Sequence, residues 1–598
     1  MEKTGESRSA VKEEYKWNLT GMYENLEAFD EDFQKLKDLY PTLATFKGHI
    51  MDTSTSLYDC LKRYFEVDTI INQLMVYIHG SLDVDLTDSK IAEKEAEVLN
   101  VIDDVNEVAT FIIPEILKSD LETVEKYIEE NKGLEEYRVY LKRLFRQKNH
   151  VLDDETEKLL ANFGSINGLF KTSSGFIRDV EMKYGAIRLE DGEEIELTAS
   201  NCEKYIVHKN REVRKQAYEK RCEAFENSIR SLASNYAGHI RYDELEAKLR
   251  HYKDAKESDF EDLNMDSKVY DALITSANKN KDIYQKYLRF VQNVLGVEKL
   301  EPYDLSAPLV EASDKEYTYE EAKEMLLDIF QIYGKEYTKV LEEIFDNRWV
   351  DVMPSTGKRT GWYAWGSPTT HPIVFGNFHG KFNDVSALAH ELGHAVNFYK
   401  VFKKQPVQYA DNTLFDAEVA SLTNEIVFSK VMLQKTEDKN EKLQILDNLI
   451  SLFVGNFFGG EKGAEFEDAA HKLVKEGSPI TASTLSLEWK KITDKFNGDI
   501  VENQYHNNWA RIPHFYTSFY YYKYATGITA ACYISKKILE KDEEAIQNYL
   551  SYLEIGTSMD PLDTLKIAGV DMTEERVFEE AIKVFDSWLD EFMEIYSH

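Results

Sequence analysis

Ser386-Ala-Leu-Ala-His390-Glu391-Leu392-Gly393-His394-Ala-Val396 carries more information than any other run of the chain. Alanine, leucine and glutamate favour a helix, and Asn383-Asp384 just before them is expected to cap it. Residues four apart share one face of a helix, so His390 and His394 present both imidazoles to one point. That spacing suits two ligands of a zinc ion. Glu391, turned slightly around the helix, reaches a water on the metal rather than the metal itself.

One pentapeptide is not enough. With 14 histidines in 598 residues, chance alone produces such a match on the order of a few per cent of the time. A catalytic zinc site also needs a third protein ligand and an open fourth position. Thr413-Leu-Phe-Asp-Ala-Glu418-Val-Ala-Ser-Leu-Thr-Asn-Glu425 reads as a second helix, and the gap after His394 accommodates a loop and an antiparallel return. Glu418 is therefore expected as the third ligand. Glu425, two turns further on, either orients a ligand histidine or is a solvated helix residue.

Bulk properties narrow the class. The chain has 598 residues, 43% of them hydrophobic, with only 28 Gly and 11 Pro, which favours long helices in two to four domains. A net charge of −36 excludes nucleic acid as a partner, because phosphate contacts need clustered Lys and Arg. No apolar run reaches membrane-spanning length and Met1–Arg8 has no apolar leader, so the expected location is cytoplasmic, without a membrane partner. Cys60, Cys202, Cys222 and Cys532 are scattered, as reduced thiols would be. Helical periodicity runs from residue 56 to about 150. It gives way near 175 to alternation at Val180/Met182, Ile187/Leu189 and Ile195/Leu197, with Asp191-Gly192 as the turn of a hairpin, and resumes at about 201. The expected division is an N-terminal helical lobe, 1–200, ending in a β-hairpin, and a catalytic domain, 201–598.

Three motifs in order carry a family resemblance: Leu388-Ala-His-Glu-Leu-Gly-His394, then Ala417-Glu-Val-Ala-Ser421 with Asn424-Glu425, then Arg511-Ile-Pro-His514-Phe-Tyr516. Through them the chain resembles the oligoendopeptidase F branch of the thimet-oligopeptidase-like (M3) zinc metallopeptidases, most clearly from about 200 to 585. The resemblance implies a mainly α, two-lobed zincin-type fold with a small β element beside the active-site helix. It implies one zinc per chain held by His390, His394 and Glu418, and hydrolysis of internal bonds of short oligopeptides by metal-activated water with Glu391 as general base. It further implies that the strand at Arg359–Gly366 holds the substrate backbone, and that His514 and following tyrosines meet the substrate and its oxyanion. Tyr516 and Tyr520 are the chosen tyrosines, on a helical face shared with Tyr524, and Tyr522 is their rival. Two other readings stay open. One is a zinc carboxypeptidase, with Arg511 or Lys523 as the cation for a terminal carboxylate. The other is a catalytically silent peptide-binding protein.

Overall fold

The computed structural model describes residues 7–598 except 312, 314, 414 and 503, and omits the side chains of 154, 155, 158, 161, 162 and 165. Helices dominate it, as the scarcity of Gly and Pro predicts. The helices used below are α1 (Ser54–Asp83), α2 (Asp154–Phe176), α3 (Arg211–Leu249), α4 (Phe382–Lys404), α5 (Ala417–Lys435), α6 (Gly459–Lys475), α7 (Tyr522–Leu539) and α8 (Glu575–Ser597). A two-stranded sheet pairs β1 (Gly185–Arg188) with β2 (Glu194–Leu197). A three-stranded sheet has the order β3 (Val350–Asp351), β5 (Pro372–Phe375), β4 (Tyr363–Gly366).

Side-chain caps start several of these helices. Thr53 accepts from the Ser56 amide ahead of α1, and Asn210 accepts from the amides of Glu212 and Val213 ahead of α3. The metal helix starts differently from the expectation. Lys381 holds the cap position and Asp384 lies inside the first turn, its carboxylate accepting from the amides of Lys381 at 2.8 Å and His379 at 3.0 Å. An acidic group there meets the positive end of the helix dipole, so Asp384 still stabilises the start it was expected to cap.

Two compact units build the molecule, each from three stretches of chain. The first takes Met1–Lys148, Asp314–Val431 and Ala531–Val570; the second takes Asn149–Ser313, Met432–Ala530 and Asp571–His598. These units interleave along the chain, whereas the division at residue 200 is linear, and the N-terminal lobe, 1–200, and catalytic domain, 201–598, stay a proposal.

In the first unit the N-terminal helices share a core with the sheet. Phe29, Leu36, Leu57, Leu61, Leu74 and Ile78 are buried together with Ile373 and Phe375 of β5. Each such side chain contributes about 1.5–3 kcal/mol on leaving water, so the sheet beside the metal helix is fixed from the N-terminal side. β4 and β5 both pack on α4. In the second unit an aromatic core forms around Phe453, whose ring stacks 4.7 Å from Phe585 of α8.

The hairpin is present in part. Gly185↔Leu197 through Arg188↔Glu194 form the antiparallel ladder, with Gly192 in the left-handed region at φ 89° in its turn. The Val180/Met182 alternation belongs to something else: Ile177–Glu181 form a π-turn that continues α2, and Val180 is exposed. Two apolar residues two apart fit a strand or a widened helical turn equally well, and the chain preceding them is helical.

Candidate active site

α4 and α5 bring the three predicted metal ligands together in the first unit. His390 Nε2 lies 3.3 Å and His394 Nε2 3.5 Å from Glu418 Oε2. The three ligand atoms all fall within 4.8 Å of one another, a spacing that one small cation can bridge. Among the described residues this is the one group of His, Cys, Asp or Glu with that geometry.

Close helix packing makes it possible. A Cβ on Gly393 would come within 2.7 Å of the Ala420 carbonyl oxygen and of Ser421 Cα, so glycine lets the α5 backbone approach α4 where the ligands meet. Asn424 braces the same contact. Its amide donates to the Ala389 carbonyl at 3.2 Å, and its oxygen accepts from the Tyr337 hydroxyl at 2.9 Å.

Second contacts hold the ligands in place. Glu425 Oε2 lies 3.1 Å from His390 Nδ1, and Ser386 donates to its other oxygen at 3.2 Å. Of the two readings for Glu425, this is the orienting one: it leaves Nε2 of His390 for the metal. Ser421 donates to Glu418 Oε2 at 3.0 Å. Sequence reasoning missed Ser386 and Ser421. Each is a helical neighbour of a residue it did find, and that periodicity was the available signal.

The electrostatics match a cation site. Burial opposes ionisation of Glu418, but hydrogen bonds and charge from His390 and His394 outweigh it and hold the carboxyl far below the usual range. Burial also opposes charge on His390, while Glu418 and Glu425 raise its affinity for a proton. Two carboxylates around two imidazoles call for positive charge at the point the ligand atoms face. Glu391 is 7% exposed. Burial raises its carboxyl above the ordinary range, against the pull of His390 and His394 and with Glu418 and Glu425 adding to the rise.

The β element sits as expected. β4 is an edge strand: it pairs with β5 on one side, and no strand of the described residues pairs on the other. Val374 donates to Trp349 on the β3 side, so Ile373 and Phe375 turn their backbone groups to β4. Through the register Ala364↔Val374, the Ala364 amide and carbonyl then point to the open edge.

The His514 segment belongs to the second unit. His514 stacks on Tyr520 with ring centroids 5.7 Å apart, and its Nε2 lies 3.2 Å from the Tyr524 hydroxyl. Burial lowers the affinity of His514 for a proton, and the positive charges of Lys171 and Arg178 lower it further. The expected common helical face of Tyr516, Tyr520 and Tyr524 is not formed. Pro513–Tyr516 is a 3-10 turn, Phe519 takes a left-handed backbone at φ 55°, and α7 begins only at Tyr522. Tyr516 turns inward, its hydroxyl 2.5 Å from Ser174 and 3.5 Å from the Leu232 carbonyl. Tyr522 is fully buried against Phe260 and Tyr270.

Two glycines before Phe466-Glu467 shape the packing here. A Cβ on Gly463 would overlap the Tyr521 ring, and one on Gly460 would press on Ala525. Both glycines admit the start of α7 against α6. His371 and His379 lie outside these groups: His371 stacks on Trp349 at 4.3 Å, and the His379 backbone amide donates to Asp384.

The family model described as Peptidase family M3 matches residues 205–584, and one described as Oligopeptidase F matches 115–172. The chain belongs to peptidase family M3. It is 33% identical over 590 residues to the oligopeptidase PepF of Bacillus subtilis (strain 168), covering 98% of this chain and 88% of that one. A Chlamydophila abortus crystal structure superposes with a TM-score of 0.91 at 29% identity, covering 99% of this chain and 100% of that one. The oligoendopeptidase-F of Enterococcus faecium superposes with a TM-score of 0.76 at 27% identity, covering 96% and 99%. The expected family and mainly α fold therefore hold, and this M3 chain is a metalloendopeptidase that hydrolyses peptides.

Proposed function

We propose that this M3 peptidase is a zinc-dependent oligoendopeptidase, cutting internal bonds of short peptides with one zinc per chain held by His390, His394 and Glu418. The observation that carries the reading is the convergence of those three ligand atoms within 4.8 Å, one residue from a buried glutamate. Two imidazoles and one carboxylate fit zinc and leave a position for water. Bound there, zinc supplies Lewis-acid polarisation of the scissile carbonyl and lowers the pKa of a water toward neutrality.

The protein's own groups do the rest. Glu391 accepts the proton of the attacking water and delivers it to the leaving nitrogen. Its apolar setting raises its proton affinity in the direction this shuttle needs. Ala364 on the β4 edge offers its amide and carbonyl to an extended peptide, which binds as an added strand. A folded chain has those backbone groups already paired, which favours short unstructured substrates. His514 and Tyr520 donate to the carbonyl oxygen as it becomes negative. Their role rests on the family resemblance and on their side-chain chemistry, and Tyr516 supports it least, its hydroxyl being engaged with Ser174.

No observation favours a carboxypeptidase through the cations first considered. Arg511 contacts Glu203 at 3.4 Å and Lys523 contacts Asp259 at 3.2 Å. The four cysteines are buried and unpaired, which supports the proposed cytoplasmic setting; no helix of the described residues is long and apolar enough to cross a membrane.

A short peptide blocked at both ends tests the reading. Mass analysis should find internal cleavage. His514→Ala and Tyr520→Phe should each lower kcat by roughly 10²–10³, whereas Tyr516→Phe should change it much less. A Tyr516→Phe effect equal to that of Tyr520→Phe would move the oxyanion role to Tyr516.

A further inference from the structure

Three arginines are buried among the described residues, Arg178, Arg214 and Arg221, all in the second unit. Two of them have an acid. Arg214 lies 3.3 Å from Asp304, and Arg221 lies 2.8 Å from Glu203. Arg178 is 9% exposed, contacts no carboxylate among the described residues, and its Nη1 is buried without an acceptor. Acids are not scarce in a chain with 108 Asp and Glu against 72 Lys and Arg. Asp179 and Glu181, its neighbours in the chain, are exposed instead. A guanidinium held out of water without an anion is unfavourable, and a bound anion would complete it.

The surroundings indicate which anion. Arg178 lies in the π-turn Ile177–Glu181, an irregularity often found at functional sites. One turn earlier, Ser174 shares the hydrogen bond with Tyr516 that ties this helix to the His514 segment. The Arg178 charge acts on both His514 and Tyr516, and exposed Lys171 adds a second positive charge at His514. Leu169, Phe176 and Val180 on the same stretch are exposed apolar side chains, suited to the apolar residues of a peptide.

We propose that Arg178 recognises a carboxylate of the peptide substrate in the unit that carries His514. The planar fork donates two parallel N–H groups to a carboxylate, a geometry lysine lacks. The proposal rests on the reading above that His514 acts on bound peptide. It gives the enzyme the kind of cation first sought in Arg511 and Lys523.

The test uses one short peptide in three forms: a free C-terminus with no acidic side chain, its C-terminal amide, and that amide with one internal Gln replaced by Glu. Affinity is measured calorimetrically in the Glu391→Gln background, and KM and kcat in the active enzyme. The carboxylate-free amide should bind roughly 10–100-fold more weakly than the free acid or the glutamate form. Whichever form recovers affinity identifies the terminal or the side-chain carboxylate as the group recognised.

Arg178→Met should bring the acid-to-amide ratio close to one, with the loss in KM rather than kcat. Arg178→Lys should give an intermediate ratio. Removing an uncompensated buried charge should leave the Tm of Arg178→Met unchanged or higher. If that variant does not fold, Arg178→Lys carries the test. An unchanged ratio in the folded variant, or equal binding of all three peptides by the wild type, overturns the proposal. Near-wild-type turnover in Glu391→Gln would instead count against the general-base reading, and would leave the ratio readable.

Discussion

Glu391→Gln should retain the metal and lose turnover of a short peptide by roughly 10²–10⁴. The side chain is 7% exposed and sits between the two histidines, so an isosteric amide fits the same space. What the amide cannot do is accept a proton from water and return it to the leaving nitrogen. Because the ligand atoms of His390, His394 and Glu418 are untouched, zinc content should match the wild type. Steady-state kinetics with metal analysis on the same preparation checks both halves. A drop in zinc together with activity would mean that Glu391 supports the metal rather than the proton.

His390→Ala should lose the metal as well as turnover. It removes one of three ligands and leaves Glu418 and Glu425 facing each other with less positive charge between them. Metal-assisted polarisation is worth several kcal/mol, so turnover should fall by roughly 10³ or more. Adding zinc separates this from a folding defect. A ligand at about 100 times its Kd stabilises a protein by about 2.7 kcal/mol, so chelated wild type should regain Tm and activity with zinc, and His390→Ala should regain neither. Recovery of full activity by the variant would remove His390 from the ligand set.

The metal helix was legible because its rule is local. Four residues make one helical turn, so His390 and His394 had to share a face, and the distance to Glu418 allowed one return helix. Gly393 was visible as a residue but not as a necessity, since its reason lies in Ala420 and Ser421 on another helix. The tyrosines show where local rules end. Their spacing implied one helical face, but a left-handed Phe519 breaks the helix before Tyr520, and its amide is instead taken by the buried Glu467 carboxylate at 3.1 Å. That tertiary contact overrides the helix-favouring pattern and leaves Tyr516 inside and Tyr520 beside His514. The π-turn at Ile177–Glu181 was misread as strand for a related reason, because two residues of alternation do not fix a period. Arg178 gave no sequence signal at all. A lone arginine in an acidic chain looks like half of an ion pair until its surroundings are known.

The central claim is that His390, His394 and Glu418 hold one zinc. Anomalous diffraction from crystals of the purified enzyme, recorded on both sides of the zinc absorption edge, tests it most directly. The account predicts a single zinc peak per chain, about 2.0–2.2 Å from an imidazole nitrogen of each histidine and from a Glu418 oxygen, with no protein side chain in the fourth position. A zinc peak elsewhere, a fourth protein ligand closing the site, or a fully active enzyme with no peak there would contradict it.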